Sequence, residues 1–258
     1  MSDHLCPVVA GAGGLIDDSW CFERMARVLV GMPPIVAEAD VLCPELVLFE
    51  KGRLSVRYCP FDGVNPEAKL VIVGITPGLR QMFLSCQEAQ RALTEGQTGE
   101  DVIRRAKAVG GFAGSMRTNL VAMLDGIGLH ENLGIDSTRS LFGEHNELLG
   151  STSAVIYPAF VNGRNYTGTP GPEAYPLLQA FVDQVLTAVL AMTPDAFIIP
   201  LGKTVSTILQ REVARGAVQA ERCLFEFPHP SGANGHRARL YAENKANLTA
   251  RVAEWQLK

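Results

Sequence analysis

The apolar positions change period several times along the chain, and the changes mark its elements. Near the start, Trp20, Phe22, Met25, Val28 and Leu29 fall on adjacent helical turns. That spacing predicts a helix, with Asp17 and Asp18 placed to cap it and Met32-Pro33-Pro34 placed to stop it. Residues 46–50 and 54–58 read as short strands, and Lys51-Gly52-Arg53 between them as a hairpin turn. Four continuous apolar runs follow, at residues 70–74, 154–157, 196–201 and 223–227. Strands buried on both faces have this character. Between the second and third runs, residues 173–192 carry Leu177, Leu178, Phe181, Val182, Val185, Leu186, Val189 and Leu190 at helical spacing, which predicts a long amphipathic helix. A helix after Gly202 presents Val205, Ile208, Leu209 and Val213 on one side, and a C-terminal helix carries Leu240, Leu248, Val252 and Trp255. Buried strands alternating with helices predict an α/β layer fold with a mostly parallel sheet, whose site forms at the carboxyl ends of its strands.

Composition narrows the picture. Of 258 residues, 47% are hydrophobic and 19% charged, enough for a sizeable core. The net charge of -4 gives no overall attraction to nucleic acid, so any such contact needs a local basic patch. No apolar run reaches the ~18 residues of a membrane span, so no membrane partner is expected. The opening MSDHLCPVVAGAGG lacks a basic n-region, so a secretory signal is not expected either, and the cytoplasm is the expected compartment. Cys6, Cys21, Cys43, Cys59, Cys86 and Cys223 form no C-x-x-C pair and read as buried thiols. No metal and no cofactor are expected.

Candidate chemistry lies after the first and fourth apolar runs. Gly74-Ile75-Thr76-Pro77-Gly78 makes a rigid turn that lets the backbone approach a ligand, although an ordinary strand-to-helix turn reads the same way. Pro228-His229-Pro230-Ser231-Gly232-Ala233-Asn234-Gly235-His236-Arg237 holds a histidine stiffly between two prolines, ahead of small polar residues. Gly202-Lys203-Thr204 lacks the earlier glycine of a phosphate-binding loop, since Phe197 stands there. The Gly/Asn-rich stretch 162–170 reads as a connector, with Arg164 and Asn165 as weak candidates for backbone contact with a single strand.

Taken together, GITPG and HPSGANG resemble the two signature motifs of the uracil-DNA glycosylase superfamily. Gly111-Phe112-Ala113-Gly114-Ser115-Met116 is similar to the segment that supplies that family's aromatic stacking partner, and residues 194–203 to its third-strand segment. The resemblance covers about residues 65–258. It implies a three-layer α/β/α sandwich around a central four-stranded, mainly parallel sheet. The whole chain would then be one domain, with residues 1–64 as a helical and hairpin extension and 79–111 as an insertion. It further implies hydrolysis of the bond between a deaminated or damaged base and deoxyribose, in single- or double-stranded DNA, by a monomer without metal.

By the same resemblance, Phe112 stacks on the flipped base, His229 stabilises the charge on the departing base, and Thr76 positions water. Gly74, Ile75, Pro77, Gly78, Tyr157 and Asn162 belong to the base pocket. Ser231, Gly232, Ala233, Asn234 and Arg237 contact the DNA backbone or wedge the duplex. The chain departs from the family pattern in three places. Thr76 stands where Asp or Asn is usual, Pro158 falls in the stretch that often supplies a base-reading asparagine, and Ala233 replaces a larger wedge. A threonine hydroxyl can hold a water but cannot act as a base near neutral pH. These departures leave open a glycosylase-like protein that binds a base or nucleotide without cleaving, and the net acidity leaves open a small-molecule α/β enzyme or binder unrelated to DNA. The insertion mixes Arg80, Arg91, Arg104, Arg105 and Lys107 with Glu88, Glu95, Glu100 and Asp101, which predicts a solvated surface helix or, alternatively, a flap that touches the strand.

Overall fold

The computed structural model describes residues 15–17 and 19–255. In chain order the elements are α1 (Phe22–Gly31), β1 (Val47–Lys51), β2 (Leu54–Arg57), β3 (Leu70–Gly74), α2 (Leu79–Thr94), α3 (Gly99–Gly110), α4 (Ser115–Asp125), α5 (Leu129–Leu133), β4 (Leu149–Ser153), β5 (Ala159–Val161), β6 (Arg164–Asn165), α6 (Pro176–Ala180), α7 (Thr187–Met192), β7 (Phe197–Pro200), α8 (Lys203–Ala214) and α9 (Arg237–Glu254). They divide between two compact units. The first is built from the segments up to Gly63, Ile75–Gly111 and Ser153–Val189, and the second from Val64–Gly74, Phe112–Thr152 and Leu190–Lys258.

The first unit holds an antiparallel sheet in the order β1-β2-β5-β6. The expected hairpin is its first pair, with Lys51 opposite Leu54. The second hairpin turns at Asn162-Gly163, both at positive φ (52° and 70°). Two left-handed residues in succession are what a two-residue hairpin turn needs, and Asn-Gly supplies them with little strain. The long helix expected over 173–192 is interrupted in character: α6 passes into a π-helical turn at Phe181–Leu186 and then into α7. Phe181 is fully buried, stacked on Trp20 and edge-on to Tyr157.

Helix α1 starts at Phe22 with Cys21 as its N-cap, and no side chain caps it. Asp17 instead accepts from the Ser19 N–H at 2.8 Å and closes a turn ahead of the helix. Asp18 lies outside the described residues, as does Cys6. The other five cysteines are free thiols.

The 79–111 segment is helical and keeps a charged, solvent-exposed face, as the sequence predicts. It is a helical pair, α2 and α3, joined through a nearly buried carboxylate. Glu88 takes the guanidinium groups of both Arg91 (2.8 Å) and Arg105 (2.7 Å), and Glu95 accepts from Arg105 at 2.8 Å. Arg104 pairs with Asp101 and Arg80 with Glu38. Its arginines are thus committed to carboxylates, and a carboxylate kept from water needs such partners.

The second unit holds a three-stranded sheet in the order β4-β3-β7, with β3 and β7 parallel from Leu70 opposite Phe197 to Val73 opposite Pro200. Two expected strands differ. The second lies at Leu149–Ser153, ahead of the apolar run 154–157. That run is buried without pairing in a strand, so continuous hydrophobicity reported burial there and not extension. Residues 223–227 make one parallel bridge, Cys223 to Ile198, before Glu226 turns to φ 66°. The central four-stranded parallel sheet is therefore replaced by a three-stranded sheet with a single bridge at its edge and a separate antiparallel sheet. The core of this unit gathers Leu70 and Ile72 from β3, Phe197 and Ile199 from β7, Leu120 and Leu124 from α4, and Leu248 and Val252 from α9, with Trp255 stacked on Phe197 at 4.8 Å. Among the described residues no helix is long and apolar enough to cross a membrane.

Candidate functional site

In the second unit, the carboxyl ends of the strands converge on the His229 loop. Leu201 donates its N–H to the Val73 carbonyl at 2.9 Å, which sets the end of β7 beside Gly74. The next residue, Gly202, donates to the Phe227 carbonyl at 3.0 Å. Gly202 has φ +86°, and a Cβ there would stand 3.0 Å from the His229 Cβ. Only glycine meets both conditions without strain, so the turn after β7 is shaped to let the histidine approach.

The loop is braced from several sides. Asn119 on α4 donates to the Pro230 carbonyl at 2.9 Å. Asn234 donates to the His229 carbonyl at 3.0 Å, and Arg237 to the Ser231 carbonyl at 2.7 Å. Ser231 Oγ accepts from the Ala233 N–H at 3.2 Å. Gly232 and Ala233 are exposed at the tip, and a Cβ on Gly232 would sit 3.4 Å from Ser115 Oγ at the start of α4. Asn234 and Arg237, read from the sequence as DNA contacts, thus hold the loop's own backbone.

His229 itself is half-buried, and burial pushes its imidazole below the usual histidine range, toward the neutral form. The Ser231 N–H donates to its Nδ1 at 3.2 Å. A ring nitrogen that accepts carries no proton, so the neutral ring keeps its proton on Nε2. Among the described residues nothing accepts from Nε2. The result is a neutral donor held on a braced loop.

Phe112 lies in the same unit. Its ring is 5% exposed and sits edge-on to Phe142 at 6.4 Å, and Arg117 stacks over the other aromatic at 4.5 Å. Phe112 has φ 54°. A bulky side chain in the left-handed region costs about 1–3 kcal/mol, and such strain collects at sites of function.

The remaining candidates belong to the first unit. Thr76 Oγ1 donates to the Tyr157 carbonyl at 2.8 Å and accepts from the Ala159 N–H at 3.0 Å. It straps the chain on either side of Pro158, which has no N–H of its own. One lone pair of the hydroxyl is left over, so Thr76 can hold a water only as an acceptor. Ile75 and Pro77 are buried, and the Ile75 carbonyl accepts from Val155 at 2.9 Å. Gly78 precedes α2, whose Leu79 N–H is capped from outside by Asn165 Oδ1 at 3.1 Å. Asn162 is exposed in its hairpin turn.

Tyr157 is fully buried, with its hydroxyl 2.7 Å from Asp62 Oδ1. Its ring packs at 5.5 Å from that of Tyr58, whose hydroxyl donates to Asp62 Oδ2 at 2.8 Å. Sequence reading missed Asp62, Gly202 and Asn119. A carboxylate inside the run Tyr58-Cys59-Pro60-Phe61-Asp62-Gly63 was a usable signal for the first, and the glycine that ends a buried strand for the second. Nothing local marks Asn119.

No family model matches the chain, and no solved structure matches it. A protein of Bacillus subtilis (strain 168) described as "Uncharacterized protein YoxB" is 37% identical over 235 residues, which cover 90% of this chain and 92% of that protein. At that identity over nearly the full length of both chains, this chain belongs to the same family as YoxB.

Proposed function

We propose that the protein is a DNA glycosylase that hydrolyses the bond between a deaminated or damaged base and deoxyribose. The observation that carries this reading is His229: a neutral imidazole whose Nδ1 is occupied by the Ser231 N–H and whose Nε2–H is left to donate. A fixed donor aimed at charge developing on a leaving base lowers the barrier without reorganising, an effect of roughly 3–4 kcal/mol for one such group. Phe112 is the aromatic wall for the base, and half-buried Ser231 with exposed Gly232 beside it meets the phosphates. The motif resemblance alone gives Thr76 the water-holding role, for which its remaining lone pair is an acceptor. The reading keeps the layered α/β/α arrangement implied by the motifs, with the Cys223 bridge beside β7 as the remnant of a fourth strand.

A second reading has its own support. The single proton of Thr76 goes to the Tyr157 carbonyl, and no carboxylate or amide stands in its place. A protein that binds a base or nucleotide and cleaves nothing fits that arrangement. The two part in one experiment. Oligonucleotides bearing uracil, hypoxanthine, xanthine or a mismatch are incubated with the protein and then treated with alkali. Strand breaks that fall about a hundredfold or more in His229→Ala support the glycosylase. Binding with no breaks on any substrate supports the second reading, and breaks of equal rate in His229→Ala remove His229 from the chemistry.

A further inference from the structure

The first unit contains a buried acid that the proposed reaction does not use. The Tyr157 hydroxyl oxygen lies 2.6 Å from the Trp20 carbonyl oxygen and 2.7 Å from Asp62 Oδ1. A phenol has one proton to donate. With Asp62 ionised, that proton could serve only one of the two contacts, and the other would set acceptor against acceptor. A proton on Asp62 Oδ1 resolves the count. Asp62 then donates to Tyr157, Tyr157 donates to the Trp20 carbonyl, and Tyr58 donates to Oδ2 at 2.8 Å. The same Tyr157 carries the carbonyl that accepts from Thr76, and Thr76 in turn accepts from the Ala159 N–H.

We propose that Asp62 is a pH-sensitive latch: its protonated carboxyl closes the Asp62–Tyr157–Trp20 hydrogen-bond chain, which clamps residues 157–159 on Thr76, and loss of the proton loosens that strap. The groups that face Asp62 are Tyr58, Tyr157, Lys107 and Cys59. Lys107 donates to the Gly63 carbonyl, and its charge favours the ionised acid. Desolvation opposes this and prevails, since Asp62 is 2% exposed and is raised to about 6. The latch therefore closes as pH falls through the mildly acid range and opens above it. It rests on contacts inside one unit and is independent of the glycosylase reading, because its tests read exchange, stability and vibration and never base release.

Asp62→Asn mimics the protonated acid, since its amide N–H donates to Tyr157 and its carbonyl accepts from Tyr58. Protection of the Ala159 amide, corrected for the intrinsic effect of pH on exchange, is expected to fall in wild type between about pH 5 and about pH 8 and to stay level in Asp62→Asn. Infrared difference titration of the wild-type protein over the same range is expected to show a protonated carboxyl carbonyl band that Asp62→Asn lacks. Wild-type protection that does not change with pH, a missing band, or an Asn variant less stable than wild type at about pH 5 would each overturn the latch.

Discussion

Asp62 and His229 invite comparison because burial drives both toward their neutral forms, in two different units of the chain. Around Asp62 the neighbours engage both carboxyl oxygens: a tyrosine hydroxyl reaches each, and one of them passes the connection on to a backbone carbonyl. Around His229 the neighbours take only one nitrogen and brace the backbone, leaving the other N–H without a partner among the described residues. Desolvation is the same force in both places. What differs is how many hydrogen-bonding positions the surroundings leave open, and that number separates a group built into the fold from one that can meet a ligand.

The comparison breaks first at His229. If its open N–H is the chemical group, His229→Ala lowers base release about a hundredfold or more while the melting temperature changes little. Next comes the pH dependence at Asp62. Its folded value, about 6, is raised above the 3.8 of an exposed aspartate, so the folded state binds the extra proton between those values. This contribution is full below about pH 4 and is lost as pH rises through 6, by roughly 3 kcal/mol. In Asp62→Asn that slope disappears from the stability-versus-pH curve. Gly202→Ala follows, at about 2 kcal/mol in denaturant unfolding, because it places a Cβ 3.0 Å from His229 at a positive φ. It also disturbs His229, so the ring-nitrogen chemical shifts of the imidazole move with it.

Smaller still is Asn119→Ala, expected to cost about 1 kcal/mol for one lost hydrogen bond to the Pro230 carbonyl, and, on the glycosylase proposal, to lower base release by more than that loss of stability accounts for. At the low end is Arg104→Ala. Its exposed pair with Asp101 on α3 contributes well under about 1 kcal/mol, and the substitution leaves both stability and oligonucleotide binding nearly unchanged. A large drop in binding there would support a DNA-contacting flap instead.

Much of the helical architecture was readable in advance because it rests on local periodicity. Residues 173–192, the helix after Gly202 and the C-terminal helix all announce one apolar face, and their expected inward residues Phe181, Ile208 and Val252 are buried. Strands β3 and β7 were readable because each is a short apolar run between turn residues. The run 154–157 misled for the same reason: a buried segment outside any ladder and a buried strand share one composition, and only the ladder hydrogen bonds separate them. Asn162 misled in another way, since Asn-Gly is turn chemistry before it is base chemistry.

Among the proposed site residues, the sequence alone determined the types and their order: a histidine held between prolines, a glycine turn closing an apolar strand, an aromatic within a glycine-rich stretch. Those depend on neighbours one to four positions away. Tertiary structure alone decided what each can do. The tautomer of His229 depends on the direction of the Ser231 N–H, the need for glycine at 202 on the path of a loop some 27 positions later, and the protonation of Asp62 on a tyrosine 95 positions away. Hydrogen bonds act over about 3 Å in space whatever the separation along the chain, so such pairings become visible only once the backbone has brought their partners together.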